Sequence, residues 1–171
     1  MFLDTNYIRE DHIAALETAS ELSTGYNHIV MDYDGVIGEA SSKHKEPSKK
    51  AISKKAKDLV DEINKKSNLF IFSNRKNNGG TMNGLEDILE IQKSQLKDSK
   101  GNKSLKSSWS QINDCLYREV LVVEDSFSGI VGARRNGYDT IYIQKRNGSY
   151  TGFLGLAKDF EDFLARKFLS D

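Results

Sequence analysis

Four short apolar runs constrain this chain more than any other feature. They are His28-Ile29-Val30-Met31, Leu69-Phe70-Ile71-Phe72, Val120-Leu121-Val122-Val123 and Thr140-Ile141-Tyr142-Ile143. Each is apolar almost throughout and too short for a helix of its own. Such runs read as strands buried on both faces of a sheet. Between them, apolar residues recur at helical spacing. Those segments predict helices over 9–22, 47–66, 83–96, 106–116 and 127–136, with a closing helix over 157–169. Pro47 falls in the first turn of the second, and Gly137 stops the fifth. Residues 97–104 read as a polar loop, and Asn77-Asn78-Gly79-Gly80 as a turn. Strands alternating with helices predict an α/β fold, a Rossmann-like three-layer α/β/α arrangement around a mostly parallel sheet. One domain over 1–171 accommodates it, with residues 1–26 as a helical extension before the first strand.

Composition narrows what such a fold can serve. Lysine plus arginine number 25 and aspartate plus glutamate number 25, a balance that argues against a whole-surface nucleic-acid binder. The single cysteine, Cys115, excludes an internal disulfide framework and a multi-cysteine zinc site. No apolar run approaches the ~20 residues of a membrane-spanning helix. Met1-Phe2-Leu3-Asp4 does not open a secretory signal, so a reduced cytoplasmic setting is the expectation. Residues 43–66 are rich in lysine, which fits a basic patch for an anionic surface or the solvated face of a helix. Arg75 and Lys76 are placed to line a crevice mouth and attract anions.

The strand ends carry the chemistry. The first run ends in Asp32-Tyr33-Asp34-Gly35, the second in Ser73-Asn74, the third in Glu124-Asp125-Ser126. Parallel sheets bind ligands at the carboxyl ends of their strands, so these ends predict one crevice lined by four carboxylates and a small hydroxyl. Four anions need a compensating cation. Carboxylate oxygens suit a hard ion, Mg²⁺ above all, which in turn accepts phosphate oxygens. An aspartate can attack phosphorus to form an aspartyl-phosphate. A second carboxylate two residues on can protonate the leaving oxygen and then activate water.

This constellation resembles the haloacid dehalogenase superfamily of phosphohydrolases. The resemblance runs over about residues 28–143 and rests on His28–Val36, Leu69–Asn74 and Val120–Ser126, followed by Ser128-Gly129-Ile130 and the stretch from Ala133 to Gly137. It implies Asp32 as nucleophile and Asp34 as general acid and base. It also implies phosphate binding at Ser73 with Asn74. Mg²⁺ would be held by Asp32, Asp125 and the backbone carbonyl of Asp34, with Glu124 in support. The family also places a phosphate-binding lysine, often as Lys-Pro, before the helix leading to the last motif. This chain has no Lys-Pro, which leaves Lys100, Lys103 and Lys106. A bulky apolar residue often lies six positions after that lysine. Trp109 selects Lys103, with Lys106 as the alternative.

The intervals 35–72 and 75–123 leave no room for the cap domains that family members insert. A capless core implies an open site for a large phosphorylated substrate, or one presented by a partner or a membrane. Glu124-Asp125-Ser126-x-x-Gly129 is similar to the branch of sugar-phosphate mutases and small-metabolite phosphatases. The length and N-terminal segment are similar to the phosphatidylglycerophosphate phosphatase branch. The expected activity is Mg²⁺-dependent phosphomonoester hydrolysis. A phosphotransferase and a non-catalytic phosphate-binding module on the same fold are the alternatives.

Overall fold

In a computed structural model the chain is described over residues 6–39, 46–75, 81–99, 101–113 and 119–143. The four apolar runs all become strands, and two strands join them that hydrophobic patterning does not reveal. They are β1 (Asn6–Arg9), β2 (His28–Met31), β3 (Asn68–Ser73), β4 (Leu96–Asp98), β5 (Val120–Glu124) and β6 (Asp139–Ile143). The helices are α1 (His12–Leu22), α2 (Lys54–Lys66), α3 (Leu85–Leu89), α4 (Ser110–Asn113) and α5 (Phe127–Arg135). The strands form one six-stranded sheet in the order β1-β6-β5-β2-β3-β4. Every pairing in it is parallel. The fold is α/β and Rossmann-like.

Alternation along the central strands sorts the core into two layers. Ile29, Met31, Leu69, Ile71, Leu121, Val123, Ile141 and Ile143 face α1, α2 and α3, and cluster with Leu16, Val60, Ile63 and Leu85. Val30, Phe72, Val120 and Val122 face the other way, against Trp109, Ile112 and Ala133. Burial on both faces explains why these strands carry so little polar alternation. From β2 the chain steps outward through β3 to β4, then crosses back to β5 and β6 on the other side of β2. The order therefore reverses between β2 and β5, where Met31 lies beside Val123. Such a reversal opens a crevice at the carboxyl ends of the two strands.

Several element boundaries differ from the sequence expectation. Of the helical extension expected over 1–26, the described part opens on a strand, because Asn6–Arg9 joins the sheet beside β6. The first helix starts at His12 rather than residue 9, since the Asp11 carboxylate accepts from the Ala14 N–H at 2.8 Å and fixes the start there. Arg9 ties β1 to that helix by donating from Nε to Thr18 Oγ1 at 2.8 Å. The second helix begins at Lys54, not near Pro47, because Ser53 caps it through the Ala56 N–H at 3.1 Å. Pro47 belongs to the irregular lead before a short 3-10 turn, Lys49–Ala51.

The helix expected over 83–96 stops at Leu89, where Glu90 turns left-handed at φ 55°. Leu96–Asp98, expected in a loop, pairs with β3 instead. Residues 106–113 form a 3-10 turn (Lys106–Trp109) running into the single turn α4. The expected helix over 157–169, the turn at 77–80, Lys76, Lys100 and Cys115 lie outside the described residues.

Where it is described, the lysine-rich stretch is laced with ion pairs. Lys54 pairs with Asp58 at 2.8 Å, Lys57 with Asp61 and Glu90, Lys55 with Glu17 and Lys66 with Glu62. That is the surface of a solvated helix. Among the described residues, no helix is long and apolar enough to cross a membrane.

Candidate active site

Asp32 is the first residue past β2, and its N–H continues the ladder by donating to the Val123 carbonyl at 3.0 Å. Its Oδ1 accepts from the Tyr33 N–H at 2.8 Å. One strand away, β5 runs on through Glu124, with Asp125 just beyond it. Asp32, Glu124 and Asp125 each bring a carboxylate oxygen to within 4.8 Å of the others. The switch point of the sheet is therefore acidic.

Lys103 enters this cluster from the side. Its side chain is only 4% exposed. Nζ donates to Glu124 Oε2 at 2.8 Å and to the Phe72 carbonyl at 3.0 Å, and lies 3.3 Å from Asp32 Oδ1. The backbone that carries it is fastened twice. Trp109 Nε1 donates to the Lys103 carbonyl at 2.7 Å, and Arg135 donates to the Ser104 carbonyl at 2.9 Å. Two helix positions must also lack side chains. A Cβ at Gly132 would overlap the Lys103 carbonyl oxygen and Trp109 Nε1, and one at Gly129 would overlap the Glu124 carboxylate.

Glu124 is held on both oxygens. Opposite Lys103, its Oε1 accepts from the N–H groups of Asp125 and Ser126 at 3.1 and 3.0 Å, and from Ser126 Oγ at 2.9 Å. Ser126 Oγ also caps α5 by accepting from the Gly129 N–H at 3.2 Å. Both oxygens of Glu124 are thus engaged by donors of the protein itself. The electrostatics follow. Burial pushes the Asp32 carboxyl well up, and the charges of Glu124 and Asp125 push the same way, with Lys103 opposing them. Burial also opposes charge on Glu124, but Lys103 outweighs it and holds that carboxyl below its ordinary value. Burial likewise works against the lysine, and Asp32 and Glu124 outweigh it in turn, raising Lys103.

Asp34 is not part of the acidic cluster. Its Oδ2 accepts from Arg75 Nε at 2.9 Å. Arg75 does not line the crevice mouth as its position suggests, since its side chain is fully buried. Ser73 ends β3 and is buried, and its Oγ accepts from the Arg75 N–H at 3.2 Å. The side-chain carbonyl of Asn74 accepts from Ser99 Oγ at 2.9 Å. Lys106 is exposed at the start of its 3-10 turn.

The structure thus gathers Asp32, Glu124, Asp125 and Lys103 in one cluster. Asp34 instead pairs with a second buried cation, Arg75, whose backbone N–H meets Ser73 Oγ. Sequence reasoning did not find the Arg75–Asp34 pair, the bridging role of Ser126 or the two packing glycines. A serine directly after an acidic strand end and before an apolar helix is the one signal that marks Ser126.

The donor set is compatible with a hard divalent cation. It consists of carboxylate oxygens converging on one point, and such oxygens are the usual ligands of Mg²⁺. Burial raises Asp32 first and repulsion from Glu124 and Asp125 adds to it, and a bound cation relieves that repulsion.

No family model matches the chain. No curated protein matches it. Among solved structures it is similar to DsGPDH of Dunaliella salina, with a TM-score of 0.49 and 12% identity over 72% of this chain and 24% of that one. The chain spans about a quarter of that protein's length. A likeness at this level carries no argument about chemistry, and the fold rests on the strand order itself.

Proposed function

We propose that this chain is a Mg²⁺-dependent phosphomonoesterase of the haloacid dehalogenase type, working through an aspartyl-phosphate on Asp32. The observation that carries this is the meeting of Asp32 with Lys103, Glu124 and Asp125 at the sheet's switch point. The sequence resemblance over about residues 28–143 supports the same reading.

In the first half-reaction an Asp32 carboxylate oxygen attacks phosphorus. The bond from phosphorus to the ester oxygen breaks, its electron pair stays on that oxygen, and Asp34 supplies the proton that completes the alcohol. In the second half, Asp34 takes a proton from water as the water oxygen attacks phosphorus. The bond to Asp32 breaks, inorganic phosphate leaves, and both carboxyl groups return to their starting state. Lys103, Ser73 and Asn74 are the groups that hold the phosphoryl oxygens. Asp32, Asp125 and the backbone carbonyl of Asp34, with Glu124 in support, would hold Mg²⁺, which would supply charge neutralisation at the phosphoryl group.

Within the intervals 35–72 and 75–123, the described residues belong to the sheet, its helices and their connections. The site is accordingly read as open, taking a large phosphomonoester or one presented on a partner or membrane. The test is phosphate release from 4-nitrophenyl phosphate with and without Mg²⁺. Activity is expected only with the ion, and Asp32→Asn, folded by circular dichroism, is expected to lose about 10³-fold or more. Full activity in Asp32→Asn overturns the assignment of the nucleophile. Tight binding of inorganic phosphate without turnover favours a non-catalytic module.

A further inference from the structure

Arg75 carries a positive charge into the interior, and the chemistry above gives it no task. Its side chain has no exposure, while that of its partner Asp34 is 13% exposed. Nε donates to Asp34 Oδ2 at 2.9 Å, and a terminal nitrogen donates to the Thr81 carbonyl at 2.8 Å. The guanidinium covers the Tyr33 ring at 5.1 Å. The Arg75 backbone N–H donates to Ser73 Oγ at 3.2 Å. A planar guanidinium fixed in several directions cannot swing, and a carboxylate anchored to it cannot change rotamer without breaking a charge-assisted bond.

A guanidinium N–H can donate to a carboxylate oxygen and equally to the carbonyl oxygen of a carboxylic acid. The anchor on Oδ2 therefore survives both charge states of Asp34. We propose that Arg75 is a positioning residue for proton transfer, holding Asp34 by Oδ2 so that the proton leaves from and returns to Oδ1. This rests on the reading of Asp34 as acid and base. In the forward half the Oδ1 proton passes to the leaving oxygen as its bond to phosphorus breaks. In the return half Oδ1 takes a proton from the attacking water. Because the guanidinium also donates to the Thr81 carbonyl and the Arg75 backbone N–H to Ser73 Oγ, the acid is fixed relative to the end of β3.

The signature is dependence on the leaving group. A 4-nitrophenolate departs with little help from an acid, whereas a simple alkoxide needs the proton. First-turnover alcohol release is therefore measured over aryl phosphates of rising phenol pKa and one alkyl phosphate, in Arg75→Lys and Arg75→Gln, each shown to fold by thermal melting. The variants are expected to lose about 100-fold on the alkyl phosphate and under about 5-fold on 4-nitrophenyl phosphate. The slope of log rate against leaving-group pKa becomes steeper as a result. A merely structural role lowers all substrates alike, and an unchanged slope in an active wild-type series overturns this inference alone. A wild-type chain inactive on every substrate overturns the phosphatase reading and this inference with it.

A second readout needs no Arg75 variant. In ¹⁵N-labelled protein the Arg75 Nε–H is expected to exchange slowly with solvent and to shift on Asp34→Asn. A rapidly exchanging signal that does not move with Asp34→Asn shows that the pair does not form in solution, and the inference falls.

Discussion

Lys103 shows how much one buried side chain sets at this site. Its ammonium lies between Glu124 and Asp32 with almost no exposure. Lys103→Met removes the charge and keeps much of the apolar length, leaving a buried carboxylate without its cation. The expected loss is about 3–5 kcal/mol in urea unfolding at neutral pH. The gap between the two proteins should also narrow toward acid pH. In the wild type Glu124 lies below its ordinary value of 4.5, so the stability it contributes is present above that value and is lost as pH falls through the lowered one. In the variant the Lys103 charge no longer offsets burial, so Glu124 lies higher than in the wild type, while its hydrogen bonds with Asp32 and Ser126 still act to lower it. The folded variant therefore gives up less stability than the wild type as pH falls through 4.5 and below, and the two curves draw together. Urea midpoints across pH 4–7 check this, and parallel curves for the two proteins contradict it.

At this scale much of the cluster was legible. Asp32, Glu124 and Asp125 are polar residues that end apolar strands, and a parallel sheet must bring such ends together. The choice of Lys103 over Lys106 came from the distance to Trp109, and the structure gives a physical reason for that distance in the indole N–H that holds the Lys103 carbonyl. The Arg75–Asp34 pair was not legible. Position in the chain puts Arg75 near the crevice, but the direction of a long side chain is set by neighbours that only the fold supplies.

At the scale of elements, α5 is built around what it lacks. Gly129 and Gly132 present a bare strip of helix against which Glu124 and the Lys103 backbone lie. Glycine to alanine in a helix normally stabilises by about 1 kcal/mol. Gly132→Ala is expected to do the opposite, costing about 1–3 kcal/mol, because the new methyl overlaps a backbone carbonyl that cannot rotate away. Trp109 is the only tryptophan, so its fluorescence reports the displacement directly. A variant more stable than wild type, with unchanged emission, refutes this packing.

The elements that patterning missed share a cause. β1 has the sequence Asn-Tyr-Ile-Arg and β4 has Leu-Lys-Asp, both at sheet edges. Edge strands are not buried on both faces, so neither shows the apolar run that revealed the others. The shortened α3 also follows from its ends, since nothing in the apolar spacing foretells the left-handed turn at Glu90.

Across the whole molecule, the two ends of the sheet have different tasks. The carboxyl ends hold the charged cluster, and the amino ends hold groups that secure the strands. Tyr26 precedes β2 and donates to Asp139 at the start of β6 at 2.5 Å. Tyr138 precedes β6, lies edge-on to Trp109 at 6.1 Å and donates to Asn113. Burial pushes Tyr138 up to about 12, and burial with the Asp139 hydrogen bond raises Tyr26. Unfolded tyrosine ionises near pH 10. The unfolded chain therefore loses these protons first, and stability is expected to fall as pH rises from about 10, with the Tyr138 share levelling off near 12. Tyr138→Phe should cost about 1 kcal/mol at neutral pH for the lost hydrogen bond, and should flatten the alkaline decline. An equally steep decline in the variant places its cause elsewhere.

The reversal of strand order between β2 and β5 also bears on how the chain is made. Synthesis delivers β2, β3 and Arg75 early, so Asp34 can meet its cation while the nascent chain is still short. Asp32 has no such early companion, because Lys103, Glu124 and the strand that flanks β2 on its other side are translated only later. Until β5 emerges, the most apolar part of the sheet carries an open edge, which invites pairing with any other extended chain. A ribosome that pauses before residue 120 therefore exposes this protein at its most aggregation-prone, and the passage of β5 into place closes that edge and completes the charged cluster in one movement.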